Sequence, residues 1–353
     1  MLKRLKRISS ILAAAGLMAF MAAPAQAQGA QAQSGSVPGL VEVPSQSGAG
    51  ETFDRLESSL EENDDVSVVQ TVDHSANAES VGLDLLPTRL VLFGNPELGT
   101  PLMQESQTAG IDLPQKMLVR EDASGATSVG YNSAEYLAGR HGITGANEEL
   151  GMVDGALSML ATGAAGGDAS AAVTGDAGGA QPGEGLITTE SAYGPDETFE
   201  RLEKAVESNE GLSVVASVDH QANAESVGMD LRPTKLLVFG NPEAGTPLMQ
   251  SAQTTGIDLP QKALVYEDAS GGTRLAYNDP YYLAERHGIE GADQQLAMIS
   301  TALEGLATEA TGTDDLPETG GVSLLAPAAA LLLAGSGVLG LLWTRRRRAS
   351  RHS

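Results

Sequence analysis

Four histidines, His74, His141, His220 and His287, are the residues of this chain best suited to moving protons or holding a metal ion. A neutral imidazole titrates near physiological pH and ligates transition metals, so general-base work or metal binding is the chemistry they would carry. With no Cys in the chain, a further metal ligand would have to be a carboxylate. The plainer reading makes them polar tethers: His74 follows Asp73 at a strand end, and His141 follows Arg140 near a helix end, where the helix dipole favours a cation. A second set is Tyr131, Asn132 and Tyr136, with Tyr277, Asn278 and Tyr282, joined by Arg140 and Arg286. These would line a ligand cleft, or else hold half-buried tyrosines with paired hydroxyls. A third set, Gly94, Asn95, Gly99 and Thr100 with Gly240, Asn241, Gly245 and Thr246, precedes a helix whose free N–H groups would hold a carboxylate or phosphate. No Gly-Lys-Ser/Thr is present, and Glu97 and Glu243 would repel an anion, so turn and cap geometry explains these residues better. Nucleophile elbow, zincin helix and dinucleotide fingerprint are all missing from the sequence. No catalytic residue is therefore assigned, and no cofactor is expected.

The candidate residues fall in pairs because the chain repeats. LVLFGNPELGTPLMQ, Leu90 to Gln104, returns as LLVFGNPEAGTPLMQ, Leu236 to Gln250, 146 residues further on. The same offset carries Phe53 onto Phe199, His74 onto His220 and His141 onto His287. Two tandem domains are expected, over 39–160 and 185–310. The first opens with a short strand, Leu40 to Val43, and a helix in which Phe53, Leu56 and Leu60 recur at helical spacing after Thr52. Val66 to His74 is β-branched and reads as a strand, Ala76 to Val81 as one helical turn, and Arg89 to Phe93 as a buried strand ended by Gly94-Asn95-Pro96. Thr100 is the expected N-cap of the next helix, with Pro101 at its first position. Lys116 to Glu121 and Thr127 to Tyr131 form a hairpin turning at Ala123-Ser124-Gly125, and Ser133 to Gly142 and Asn147 to Leu160 are helical. Residues 161–184, rich in Gly and Ala, are expected to be a linker with no reason to pack, long enough for the second copy to fold back on the first. The predicted class is α+β: two tandem copies of a compact domain, each one mostly antiparallel sheet with helices packed on it.

FGNPxxGTPLMQ, the later GIDLPQK (Gly110 to Lys116, Gly256 to Lys262), and YNS or YND leading to YLAxRHGI make each copy resemble domain-of-unknown-function family 302. The resemblance covers nearly all of both repeats. It implies a compact α+β domain, often paired as a dimer, so that two fused copies would reproduce the dimer by intramolecular pairing. No established catalytic residues come with the family, and none is carried over.

The ends of the chain state an address. Residues 1–27 have the parts of a secretory signal: Lys3, Arg4, Lys6 and Arg7, an apolar run from Ile11 to Ala23, and Ala25-Gln26-Ala27 as the cleavage site. The export machinery and signal peptidase would leave Gln28 as the mature N-terminus, within a flexible lead-in over 28–38. At the other end, a spacer and the motif Leu316-Pro317-Glu318-Thr319-Gly320 occupy 311–320, followed by an apolar segment over 321–343 and a basic tail over 344–353. The apolar segment is long enough to cross a bilayer, and Arg345 to Arg348 place its end in the cytoplasm of a membrane-inserted precursor. Motif, span and basic stop together resemble the LPXTG signal recognised by sortases. That resemblance implies cleavage between Thr319 and Gly320 and transfer of the Thr319 carboxyl to an amine of cell-wall peptidoglycan, hence a covalently attached cell-surface protein. A net charge of −25, with nine of the 21 basic residues in the two end segments, makes the surface repel nucleic acid. The expected function is a non-enzymatic ligand- or partner-binding surface module. The alternative is a wall-bound enzyme or metal-binding protein using the paired histidines.

Overall fold

A computed structural model describes residues 36–167, 169–176 and 179–313. The segments expected to be a secretory signal, a sorting motif, an apolar span and a basic tail lie outside the described residues. Among the described residues no helix is long and apolar enough to cross a membrane. Contacts divide the chain into Met1–Ser36 and Val37–Ser353, and the elements below belong to the second unit.

The first repeat runs β1 (Leu40–Pro44), α1 (Ala49–Glu61), β2 (Ser67–Asp73), α2 (His74–Ser80), β3 (Thr88–Gly94), α3 (Pro96–Glu105), β4 (Gln115–Glu121), β5 (Thr127–Asn132), α4 (Ala134–His141) and α5 (Asn147–Ala165). A two-residue strand β6 (Val173–Thr174) follows. The second repeat runs β7 (Leu186–Glu190), α6 (Pro195–Glu207), β8 (Ser213–Asp219), α7 (His220–Ser226), β9 (Thr234–Gly240), α8 (Pro242–Ser251), β10 (Gln261–Glu267), β11 (Thr273–Asn278), α9 (Pro280–His287) and α10 (Asp293–Thr311). The sheets are ordered β2-β3-β4-β5-β1-β6 and β7-β11-β10-β9-β8, and the strand pairs are antiparallel. The α+β architecture expected from the sequence is thus the one observed.

Alternation along the strands sends side chains to two different cores. In β3 and β4, Val91, Phe93, Met117 and Val119 pack with Phe53, Leu56 and Leu60 of α1 and with α5. Leu90, Leu92 and Leu118 point the other way, into a core shared with Leu236, Val238 and Leu264 of the second repeat. Strands buried on both faces cannot alternate apolar with polar residues, which is why LVLF and LLVF read as continuous apolar runs. The second repeat has its own helix-covered core around Phe199, Leu237, Phe239 and Leu303.

Three local expectations need correction. Helix α3 starts at Pro96 rather than Pro101, because Asn95 Oδ1 accepts the Glu97 N–H at 2.8 Å and Pro96 supplies the first-turn proline. Thr100 is therefore inside the helix, as is Pro101. Helix α5 runs on to Ala165, with Ala161, Ala164 and Ala165 buried and Arg55 Nε donating to the Ala164 carbonyl at 2.8 Å. Beyond it, Val173 and Thr174 pair with β1. Residues 161–176 therefore pack in part, since small side chains let a helix approach a sheet closely. The single helical turn expected at Ala76–Val81 begins earlier, at His74, capped by Asp73 Oδ1 accepting the Ala76 N–H at 2.9 Å.

Candidate functional site

The candidate residues do not gather in one place. Tyr131 and Asn132 are neighbours on β5 and so face opposite ways. Tyr131 joins the helix-covered core of its own repeat, whereas Asn132 reaches the shared face, and Tyr277 and Asn278 divide in the same manner. Burial raises the Tyr131 phenol, and Tyr277 to about 12. Each asparagine meets the arginine of the other repeat. Arg140 Nη2 donates to Asn278 Oδ1 at 2.7 Å, and Arg286 Nη2 donates to Asn132 Oδ1 at 2.7 Å. The Arg286 guanidinium lies 4.1 Å from the Tyr136 ring centroid and that of Arg140 5.3 Å from Tyr282, while the two hydroxyls meet at 2.8 Å.

Each arginine also holds a carboxylate missing from the sequence-level candidates. Arg140 Nη1 lies 2.6 Å from Asp112 Oδ2 and Arg286 Nη1 lies 2.6 Å from Asp258 Oδ2. His141 Nε2 donates to the same Asp112 oxygen at 2.9 Å and His287 Nε2 to Asp258 at 2.8 Å, while Thr108 and Thr254 hydroxyls donate to the two Nδ1 atoms at 3.0 Å. Lys116 Nζ and Lys262 Nζ donate to the Asp112 and Asp258 carbonyls at 3.2 and 2.9 Å. All of these charged groups are buried. Burial alone would raise Asp112 and Asp258, but the arginine, lysine and histidine beside each together outweigh it and hold both carboxyls well below the usual range. Burial, with the Lys116 ammonium across the joint, lowers Lys262 to about 7. Four cationic side chains against two carboxylates would otherwise leave a buried excess of positive charge, and a neutral Lys262 reduces it. The signal available in the sequence was GIDLPQK itself, whose Asp and Lys recur four residues apart in both copies amid apolar neighbours.

The remaining two histidines are also ties across the joint. His74 Nε2 donates to the Gly256 carbonyl at 3.2 Å, and His220 Nε2 to the Gly110 carbonyl at 3.1 Å. Burial lowers both to about 4, so they are neutral at physiological pH. Burial likewise lowers His141 and His287 despite their aspartates. Among the described residues no group of three His, Asp or Glu is arranged to hold a metal ion. The alternative of a metal role for the four histidines is disfavoured, since each imidazole directs its Nε2 to a fixed protein acceptor.

The third candidate set does border an opening. Gly94, Asn95, Gly99 and Thr100 line a cleft of about 280 Å³ in the first repeat, formed where α3, α5 and the end of β3 meet, with His220 and Asn223 of α7 at its edge. Asn95 and Asn241 are helix caps whose Oδ1 atoms accept from Glu97 and Glu243 at 2.8 Å. Thr100 and Thr246 are buried, and neither hydroxyl has a hydrogen-bond partner.

Comparison with known proteins places this geometry in context. The family described as "Domain of unknown function DUF302" matches residues 41–160 and 187–306. Among curated proteins, the Fluoride-specific ion channel FluC 1 of Brucella suis biovar 1 (strain 1330) is 48% identical over 105 residues, covering 30% of this chain and 41% of that protein. FluC 1 of Brucella abortus biovar 1 (strain 9-941) is also 48% identical over 105 residues, covering 30% and 38%. The chain thus spans less than half the length of these curated relatives. A solved structure, "Crystal structure of uncharacterized conserved protein DUF302 from Bacillus stearothermophilus", is 23% identical, with a TM-score of 0.33 over 36% of this chain and 98% of that one.

Proposed function

The chain belongs to the DUF302 family, and on that footing we propose that it is a non-enzymatic binding module displayed on the cell wall, with two family domains paired inside one chain. The observation that carries the pairing is the reciprocal exchange of Arg140 with Asn278 and Arg286 with Asn132, repeated by the two histidine-to-carbonyl ties. Every such contact has a twin, as the halves of a two-fold dimer require. Fusion makes the partner's effective concentration high, so the joint forms without a second chain. Display rests on the signal-like residues 1–27, the LPETG motif at Leu316–Gly320 and the apolar and basic segments after it. The name of the Brucella relatives describes whole proteins matched over 41% of their length or less, and the proposal takes no channel activity from it.

Two experiments test the parts separately. Thr319→Ala moves the protein from the wall fraction to the membrane fraction, and retention in the wall would sink the display. Cutting a protease site inserted beside Gly179 leaves the halves migrating as one particle at micromolar concentration. Halves that separate there overturn the pairing.

A further inference from the structure

We infer that the cleft against α3 in the first repeat binds a small, uncharged aliphatic molecule bearing one hydroxyl or carbonyl group. This gives the binding role proposed above a ligand class and rests on that reading only for its purpose. The walls include Phe93, Leu98, Met103, Leu113, Val153 and Leu157, and Met159 and Val69 stand exposed on its lining. In a chain with 67 charged residues (21 basic and 46 acidic), not one Asp, Glu, Lys or Arg lines this opening. Polar lining comes from neutral groups such as Asn63, Asn95, Gln115 and Asn223, and from His220, which is committed to the Gly110 carbonyl. A ligand carrying a net charge would lose its hydration there with no counter-charge to replace it.

One polar group lies unpaired beneath the lining. Thr100 is 1% exposed, lines the cleft, and its hydroxyl has no hydrogen-bond partner in the protein, not even the carbonyl one turn back that a helical threonine ordinarily uses. A buried hydroxyl left unpaired is costly, so a ligand oxygen that reached it would be favoured over a methyl group in the same place. Size follows from volume: an apolar cavity of about 150 Å³ holds benzene, so 280 Å³ suits a ligand of roughly ten heavy atoms. Nonanol has that size and one hydroxyl.

The second repeat supplies the control. It keeps the hydroxyl as Thr246 but carries Leu212 where the first has Val66, and Ile299 where the first has Val153. Both of these wall positions are larger there, whereas Leu98 and Met159 give way to the smaller Ala244 and Gly305, so only the two larger side chains are carried over. Val66→Leu with Val153→Ile fills the cleft with side chains that this fold already accommodates.

The test labels the full chain, in membrane vesicles, with a diazirine analogue of nonanol and maps the modified peptides. Phospholipid chains are in large excess there, so labelling of the cleft requires a preference for the alcohol. Labelling is expected on the peptides carrying Met103 and Val153, falling at least five-fold in the V66L/V153I chain and under excess nonanol, but not under excess nonanoate. Thr100→Val, which removes the hydroxyl at nearly constant shape, is expected to weaken competition by nonanol three- to ten-fold and leave competition by nonane unchanged. Labelling that ignores V66L/V153I, spreads equally over both repeats, or is displaced equally by nonanoate would overturn the inference. Such a failure leaves display and pairing standing, since fractionation and the mass of the cut halves report on those.

Discussion

Where the two repeats meet, the buried charged residues are the same types twice over; where they face outward, side chains have drifted. On the shared face Asp112, Lys116, Arg140 and His141 stand opposite Asp258, Lys262, Arg286 and His287, and Gln107 and Gln253 reach Thr234 and Thr88 at 2.8 and 2.7 Å. On the outward side Leu98 corresponds to Ala244, Val153 to Ile299 and Met159 to Gly305. A buried ionic group tolerates no substitution that leaves its partner unpaired, and here each group's partner includes its twin's neighbours. An outward wall position only has to fill space, and a methyl group more or less costs little. The buried ionic groups of the joint are therefore held to symmetry, while the outer faces are free to become different, which is what allows a cleft to be described in one copy by its own wall residues.

The sharpest way to break this comparison is to remove one joint carboxylate. Asp258→Ala strands Arg286 and His287 in the interior and is expected to cost about 3–5 kcal/mol in urea unfolding. Glu190→Ala, which loses the exposed pair with Arg274, should cost less than about 1 kcal/mol. Equal costs would mean that the joint is not a special region.

Acid should act on the joint next. His74 and His220 are lowered from 6.5 to about 4, so below pH 6.5 the unfolded chain takes protons that the folded one refuses. Their contribution is fully present above pH 6.5 and is lost as pH falls towards 4. Lysine at 262 has the same sign in a higher window: lowered from 10.5 to about 7, it makes the fold less stable as pH falls from 10.5 to 7. Denaturation midpoints measured from pH 8 to 4 should therefore decline below 6.5, and replacing both His74 and His220 by Gln should flatten that decline. An unchanged slope would remove these imidazoles from the pH response.

Smaller effects separate glycines of the two regions. A Cβ on Gly110 would stand 3.0 Å from Leu264 Cδ1 and 3.3 Å from His220 Cδ2 and Thr234 Cγ2, all in the other repeat. Gly110→Ala should push the repeats apart at a cost of about 1–3 kcal/mol. Gly155, exposed in α5 with nothing within 4 Å of its Cβ direction, should accept Ala with a gain of about 0.5–1 kcal/mol in thermal unfolding. Destabilisation by Gly155→Ala would show that the outward face is constrained as well.

Much of the local fold was legible. Phe53, Leu56 and Leu60 mark α1 by their spacing, and Asp122-Ala123-Ser124-Gly125 marks a hairpin whose carboxylate does accept the Ser124 and Ala126 N–H groups. The apolar run of β3 marked a buried strand, but which face meets helices and which meets the other repeat could not be read from it, because both faces are apolar. The cap of α3 was misplaced because two prolines, Pro96 and Pro101, compete for the first-turn position and only hydrogen bonding of Asn95 decides between them. Asp112 and Lys116 escaped notice as site residues because an i, i+4 ion pair is ordinarily a solvated feature, and nothing local says that this one is buried.

By itself the sequence determined the duplication, the order of strands and helices within each copy, and the aliphatic character of the cores, because these follow from local spacing and composition. The segments read as export and anchoring signals are likewise sequence patterns, and they lie outside the described residues. Only the tertiary structure decided which arginine meets which asparagine, that the four histidines are structural ties, and that Thr100 borders a cleft instead of capping a helix. The physical reason is that burial and partnership here arise from residues about 110 to 180 positions apart, and pairing across a two-fold joint leaves the same sequence signature whether the partners sit within one repeat or across both.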